Sequence, residues 1–142
     1  MQPESYQLFV YGSLRRGFHH SAYQYISNYF RCVGPATVKG RLYDMGDYPA
    51  AVPTHEDAYI VGELYELNNK DEFGWAFGQI DDYEGINPEI GEIPLYRRSI
   101  TNVFCNGLNS MAWIYWYNGD VSGHPVIESG DVLEYIKEKK NN

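Results

Sequence analysis

The sequence predicts an α+β fold: a small curled, mostly antiparallel, barrel-like sheet with flanking helices, built as a single domain over residues 1–142. Three observations carry this. The length suits one buried core, and no linker, charge block or low-complexity segment divides it. Strand-like runs outnumber helical ones, and two of them, "ATVKGRLYDM" and "AYIVGELYEL", carry Gly-x-Leu-Tyr, placing a glycine where backbones approach closely or a barrel bends. Asn106-Gly107, set between two apolar runs, supports a tight hairpin turn with positive φ.

The elements follow in order. "YQLFVYG" is a first strand over Leu8–Val10. Ala22, Tyr25, Ile26 and Tyr29 recur at helical spacing, predicting a helix over Ser21–Tyr29 that Gly34 and Pro35 break off. Strands are expected at Arg41–Tyr43 and Gly62–Tyr65, with "MGDYPAAVPTHED" between them as a turn-rich loop. A helix over Glu72–Asp82 follows despite Gly74 and Gly78. Ser99–Val103 and Ala112–Tyr117 form the hairpin, and "MAWIYWY", apolar on both faces, reads as a central strand covered on both sides. Ser129 is placed to cap a last helix, Val132–Lys137, whose basic end suits the helix dipole.

Composition narrows the function. A net charge of -8 leaves no basic face for displacing counterions, so neither nucleic acid nor an anionic membrane is an expected partner. Cys32 and Cys105 show no CxxC and suit a reduced, cytoplasmic setting. "LFVY" is too short for a signal core, and the longest uncharged stretch, Ser99 to Gly119, reads as the hairpin and not as a membrane span. His19, His20, His55 and His124 are scattered without ligand spacing, so no metal is expected, and no other cofactor. "GSLRRG" has phosphate-loop glycine spacing, but Phe18 and His19 stand where Lys and Ser/Thr belong. Ser13 lacks the Gly-x-Ser-x-Gly elbow, and neither cysteine has an evident base. No feature sets an oligomeric state.

Two constellations remain. The turn at Gly12 ends the first strand abruptly. Its consecutive backbone N–H groups can form a concavity for an anion such as a carboxylate; equally, the turn can serve only to end the strand. The second is "IDDYEG". Phe73, Phe77 and Ile80 form an apolar helical stripe, and Glu84 continues it, with Asp81 at its edge and Asp82 on the opposite side. If the helix reaches Glu84, a carboxylate sits on an apolar face. Desolvation there pushes it toward the range of a general base. If the helix frays by Asp82, as a stop at Gly85 would allow, Glu84 stands in water.

These strings together resemble the gamma-glutamylcyclotransferase-like family, which includes AIG2-like proteins and gamma-glutamylamine cyclotransferases. The matching strings are "VYGSLRRG", "VKGRLYDMGDYPAAV", "VGELYEL", "IDDYEG" and "LYRRSI", in family order between residues 7 and 117. The final helix opens Ser129-Gly130-Asp131-Val132 where the family often has Ser-Gly-Asp-Trp, a difference that concerns packing. The resemblance implies a curled-sheet α/β fold. It implies that Tyr11, Gly12, Ser13 and Leu14 hold the α-carboxylate end of a γ-glutamyl group. It implies that Glu84 is the acid/base residue, and that a late-strand tyrosine, Tyr115 with Tyr117 close behind, lines the pocket. The implied reaction is intramolecular: the α-amine attacks the side-chain carbonyl and releases 5-oxoproline and an amine. The implied partner is a small γ-glutamyl molecule, whose leaving group would be read by loops such as Gly46 to Asp57 and Ile86 to Leu95. The alternative is a non-catalytic module that binds small γ-glutamyl carboxylates in the same pocket.

Overall fold

The computed structural model describes residues 5–12, 21–46, 48–84 and 96–140, with the side chains of 21–23, 82–84 and 140 left aside. Eight strands and three α-helices occur among them: β1 (Gln7–Val10), α1 (Ser21–Tyr29), β2 (Phe30–Lys39), β3 (Arg41–Asp44), β4 (Pro49–Val52), β5 (Tyr59–Leu67), α2 (Phe73–Glu84), β6 (Tyr96–Cys105), β7 (Leu108–Tyr117), β8 (Val126–Ile127) and α3 (Val132–Lys140). Five strands close a barrel in the order β1-β5-β2-β6-β7, and β4-β3-β8 form a second, three-stranded sheet. All pairings are antiparallel except the one that closes the barrel, where β1 runs parallel to β7 with Leu8 opposite Trp113. The mixed, barrel-like fold is the one the sequence predicts.

Strand alternation sorts the apolar residues into two layers. Phe9, Val38, Ile60, Leu64, Val103, Ile114 and Trp116 form one buried cluster, the inward side of the barrel strands. Leu8, Val10, Tyr65, Tyr96 and Tyr115 belong to a second cluster with Ile26 of α1 and Ala76, Phe77 and Ile80 of α2. β7 contributes to both, as expected of a strand covered on two sides. α3 closes the inner cluster through Val132, Leu133 and Ile136, beside Leu42, Ala51 and Ile127 of the second sheet.

Both Gly-x-Leu-Tyr glycines sit at close approaches. A Cβ on Gly62 would lie 2.1 Å from the Val10 carbonyl oxygen, and one on Gly40 2.8 Å from Ile60. Asn106 (φ 54°) and Gly107 (φ 78°) both adopt positive φ, which is the tight turn foreseen between β6 and β7.

Three expectations are corrected. Pro49–Val52 is not loop: it is β4, pairing with β3 from Arg41↔Val52 to Asp44↔Pro49. Pro49 is tolerated because it opens the strand. Gly34 and Pro35 do not end the first helix, which stops at Tyr29; they lie inside β2, where the register slips between Cys32 and Gly34 and Gly34 takes φ 153°. Finally, the residue capping α3 is Asp131, not Ser129. The Asp131 carboxylate accepts from the N–H groups of Leu133 (3.0 Å) and Glu134 (3.3 Å), two of the donors a helix start leaves open, while Ser129 Oγ accepts only from Asp131 N–H.

α2 has weak intrinsic propensity, since Gly74 and Gly78 each cost about 1 kcal/mol relative to alanine. Packing offsets this. Ala76, Phe77 and Ile80 are fully buried, and large apolar side chains such as the last two contribute about 1.5–3 kcal/mol each. No described helix is long and apolar enough to cross a membrane.

Candidate functional site

Parallel closure puts the C-terminal ends of β1 and β7 on one rim of the barrel, together with the N-terminal start of β6. Tyr11 and Gly12 leave β1 at this rim. The Tyr11 hydroxyl donates to the backbone carbonyl of Tyr115, so this buried ring ties β1 to β7. Gly12 abuts the hairpin β3–β4: a Cβ there would come 3.3 Å from Pro49 Cγ. Ser13 and Leu14 lie outside the described residues, as do His19, His20 and the segment 85–95.

Three phenols gather beside this turn. Tyr96 and Tyr117 are cross-strand partners with ring centroids 5.6 Å apart, and Tyr48 lies 6.4 and 6.0 Å from them. Tyr96 donates to the Pro49 carbonyl at 3.0 Å, and the Tyr48 and Tyr117 hydroxyls stand 3.4 Å apart. Flat rings with polar tips make a wall suited to a small polar ligand. Tyr117 belongs to this wall. Tyr115, two residues before it on the same face of β7, belongs to the same cluster and donates its hydroxyl to Asp81 at 2.6 Å.

That bond is part of a clamp on α2. Arg98 and Tyr115 are cross-strand partners on β6 and β7. Arg98 reaches Asp81 through two N–H groups, Nε at 2.9 Å and Nη2 at 3.2 Å, and Tyr115 donates to the same carboxylate. The guanidinium lies 4.6 Å from the Trp113 ring and 5.1 Å from that of Phe77, so aromatic faces shield the ion pair. Both partners are largely buried, their side chains 21% and 13% exposed.

The clamp also fixes direction. Phe73, at the start of α2, packs 6.4 Å from Trp113, whereas Asp81 meets Tyr115, two residues further along β7. α2 therefore advances in the same sense as β7, toward the rim. It remains helical to Glu84, three residues beyond Asp81, and residues three apart lie on one side of a helix. The backbone condition on which the Glu84 reading depends is met; the Glu84 and Asp82 side chains lie outside the described set. The sequence placed Asp81 at the edge of the stripe but missed its partner. Half of the signal was present: Tyr96, Arg98 and Ile100 alternate onto one face of a strand, and an arginine between apolar neighbours there needs a carboxylate, but no spacing names which one.

A second tyrosine–aspartate–cation group lies on the other side of Pro49. Asp44, opposite Pro49 in the hairpin, accepts from Tyr135 at 2.6 Å, Lys139 at 3.0 Å and the Gly46 N–H at 2.8 Å. The Tyr135 bond, then those of Lys139 and Gly46, hold its carboxyl down at about 2. His55 and His124 are exposed, and no group of three or more possible metal ligands occurs among the described residues. Cys32 and Cys105 are free thiols; burial raises the pKa of the latter.

The chain matches the family described as "Gamma-glutamyl cyclotransferase, AIG2-like" over residues 8–134. A protein of Methanocaldococcus jannaschii, provisionally named a gamma-glutamylcyclotransferase, is 33% identical over 130 residues, covering 90% of this chain and 96% of its own. The gamma-glutamylcyclotransferase family protein YtfP of Escherichia coli K12 is 29% identical over 132 residues, covering 92% and 99%. Among solved structures, YkqA of Bacillus subtilis superposes with a TM-score of 0.72 at 26% identity over 97% of this chain and 43% of that one. The solution structure of Escherichia coli YtfP gives 0.58 at 28%, over 92% and 98%. By sequence and by architecture alike, this chain belongs to the AIG2-like gamma-glutamyl cyclotransferase family.

Proposed function

We propose that the chain is a cyclotransferase acting on a γ-glutamyl amide or γ-glutamyl amino acid. The backbone of Tyr11, Gly12, Ser13 and Leu14 holds the α-carboxylate, as consecutive N–H groups can. Glu84 takes a proton from the α-ammonium, freeing the nitrogen to attack the δ-carbonyl carbon of the same molecule. The new C–N bond closes a five-membered ring, and as the amide C–N bond breaks the departing nitrogen takes that proton from Glu84; the ring nitrogen then gives its second proton to the freed carboxylate, which passes it on, so that the amine leaves as its ammonium. The products are 5-oxoproline and the amine, with no water consumed and no metal called for. Because the attack is intramolecular, holding one rotamer of the γ-glutamyl chain supplies much of the acceleration.

The observation that carries this reading is the course of α2. Pinned at Asp81 by Arg98 and Tyr115, it runs on to Glu84 toward the rim where the Gly12 turn and the tyrosine wall stand. The test is to incubate the protein with a panel of γ-glutamyl amides and assay 5-oxoproline. Its formation supports the reading. Glutamate in its place would make the protein a hydrolase, and saturable binding without product would make it a binding module.

A further inference from the structure

The proposed reaction places negative charge on the δ-carbonyl oxygen as the α-nitrogen adds to the δ-carbon. The turn amides hold the α-carboxylate and Glu84 moves protons, so neither meets that charge. A preorganised donor aimed at such an oxygen is usually the largest single contribution to acyl-transfer catalysis. Tyr117 stands where one is required. β1 and β7 run parallel with Leu8 opposite Trp113. Carried four residues along both strands, that register sets Gly12 level with Tyr117. Trp113, Tyr115 and Tyr117 alternate onto one face of β7, and Tyr117 packs against the cluster that holds Phe77 and Ile80 of α2. Asp81 meets Tyr115. From that contact Tyr117 lies about 6.6 Å along the strand, and the Glu84 backbone about 4.5 Å along a helix that advances in the same sense. Turn, helix end and phenol come together at one level of the rim.

We propose that Tyr117 is a further catalytic residue, whose hydroxyl donates to the δ-carbonyl oxygen while that oxygen carries negative charge. This rests on the cyclotransferase reading. The other phenols around the turn direct their hydroxyls to firm protein acceptors: Tyr11 to the Tyr115 carbonyl, Tyr96 to the Pro49 carbonyl at 3.0 Å, and Tyr115 to Asp81 at 2.6 Å. The Tyr117 hydroxyl faces that of Tyr48 at 3.4 Å, well beyond the usual O–H···O distance of about 2.8 Å. A hydroxyl has one O–H and two lone pairs, so Tyr48 can donate to the Tyr117 oxygen and leave its O–H for the substrate. Tyr117 is half-buried between the rings of Tyr48 and Tyr96, where a hydrogen bond is electrostatically stronger than in water. As the nitrogen lone pair forms the new C–N bond, the carbonyl π pair moves onto oxygen and accepts from Tyr117. It returns to carbon as the amide C–N bond breaks, and the phenol keeps its proton throughout.

The test measures kcat and KM of wild type and Tyr117→Phe, with a melting curve for each. Two compounds are compared: the γ-glutamyl amide that wild type cyclises fastest, and its thioamide, in which sulfur replaces the δ-carbonyl oxygen and accepts hydrogen bonds weakly. On the amide, Tyr117→Phe should lose about 10² to 10³ in kcat, as removal of one oxyanion donor does, with KM and melting temperature near those of wild type. On the thioamide the loss should nearly vanish, a difference that a merely structural ring does not produce. Turnover of the amide within a few-fold of wild type overturns this role and leaves the cyclotransferase reading standing. An equal loss on both compounds also overturns it, because the hydroxyl then acts on something other than the carbonyl oxygen. Absence of 5-oxoproline from every γ-glutamyl amide tried with wild type overturns the reaction itself, and the role of Tyr117 with it.

Discussion

Asp81 and Asp44 each accept a tyrosine hydroxyl at 2.6 Å and pair with one cation, yet the two clusters differ in every other respect. Asp81 meets an arginine through two N–H groups under aromatic cover, and its two partners, Arg98 and Tyr115, come from neighbouring barrel strands. Asp44 meets a lysine whose side chain is 60% exposed, at the edge of a groove. The planar guanidinium offers a fixed fork and stacks on rings, whereas the ammonium is a hydrated point charge on a flexible stem. The same three chemical parts thus make a buried clamp in one place and an exposed pair in the other. The arginine cluster ties α2 to the barrel strands; the lysine cluster ties α3 to the β3–β4 hairpin at the surface.

The largest expected effect lies one turn past the clamp. Glu84→Gln keeps the shape and removes the base, and kcat should fall about 10² to 10⁴, while the melting temperature holds. Asp82→Asn, on the other side of the helix, should change kcat little. Turnover within a few-fold of wild type for Glu84→Gln, with Asp82→Asn inactive, would reverse the helix phase.

Next comes the clamp itself. Arg98→Ala strands a mostly buried carboxylate and should cost about 2–3 kcal/mol in denaturant unfolding. Arg98→Lys should recover only part, because it loses the fork and the ring contact. An alanine variant as stable as wild type would show that packing alone fixes α2.

At the turn, Gly12→Val places branched atoms against Pro49, whose Cγ already lies 3.3 Å from where a Cβ would stand. KM should rise while the fold persists. An unchanged KM would make the turn structural only.

The smallest effects belong to the lysine cluster. Lys139→Met should leave the melting temperature near that of wild type at neutral pH, as removal of exposed ion pairs commonly does. Asp44 contributes through its depressed carboxyl, about 2 against an ordinary 3.8. Its contribution is complete above pH 3.8 and is lost as pH falls through about 2. Asp44→Asn should therefore flatten the loss of stability between pH 4 and 2. An unfolding curve with the wild-type slope there would contradict the assignment.

The barrel was legible because its signals are local: Asn-Gly between apolar runs, the continuous apolar runs of β1 and β7, and glycines at 40 and 62. β4 was hidden because a Pro-started "PAAV" shows no alternation, and only its pairing with β3 reveals a strand. Only the first part of β2, before the strand-like run that begins at Ala36, was hidden, because a bulge lets Gly34-Pro35 pass through a strand. The helix phase that singled out Glu84 needed only periodicity, and α2 does extend that far. Asp81 with Arg98 was beyond reach for a different reason. They stand 17 residues apart on different elements, and their meeting depends on how a helix lies across a sheet, which no single period encodes. The bond from the Tyr115 hydroxyl to Asp81, and the gathering of Tyr48 and Tyr96 beside Tyr117, were not legible because both depend on contacts between elements far apart in sequence.

The central claim is that the substrate's own nitrogen, not water, attacks the γ-carbonyl. The direct measurement is turnover of a γ-glutamyl amide in water enriched in oxygen-18, with products read by mass spectrometry. The account predicts 5-oxoproline without the heavy isotope, formed in step with free amine. Glutamate carrying oxygen-18 would contradict it.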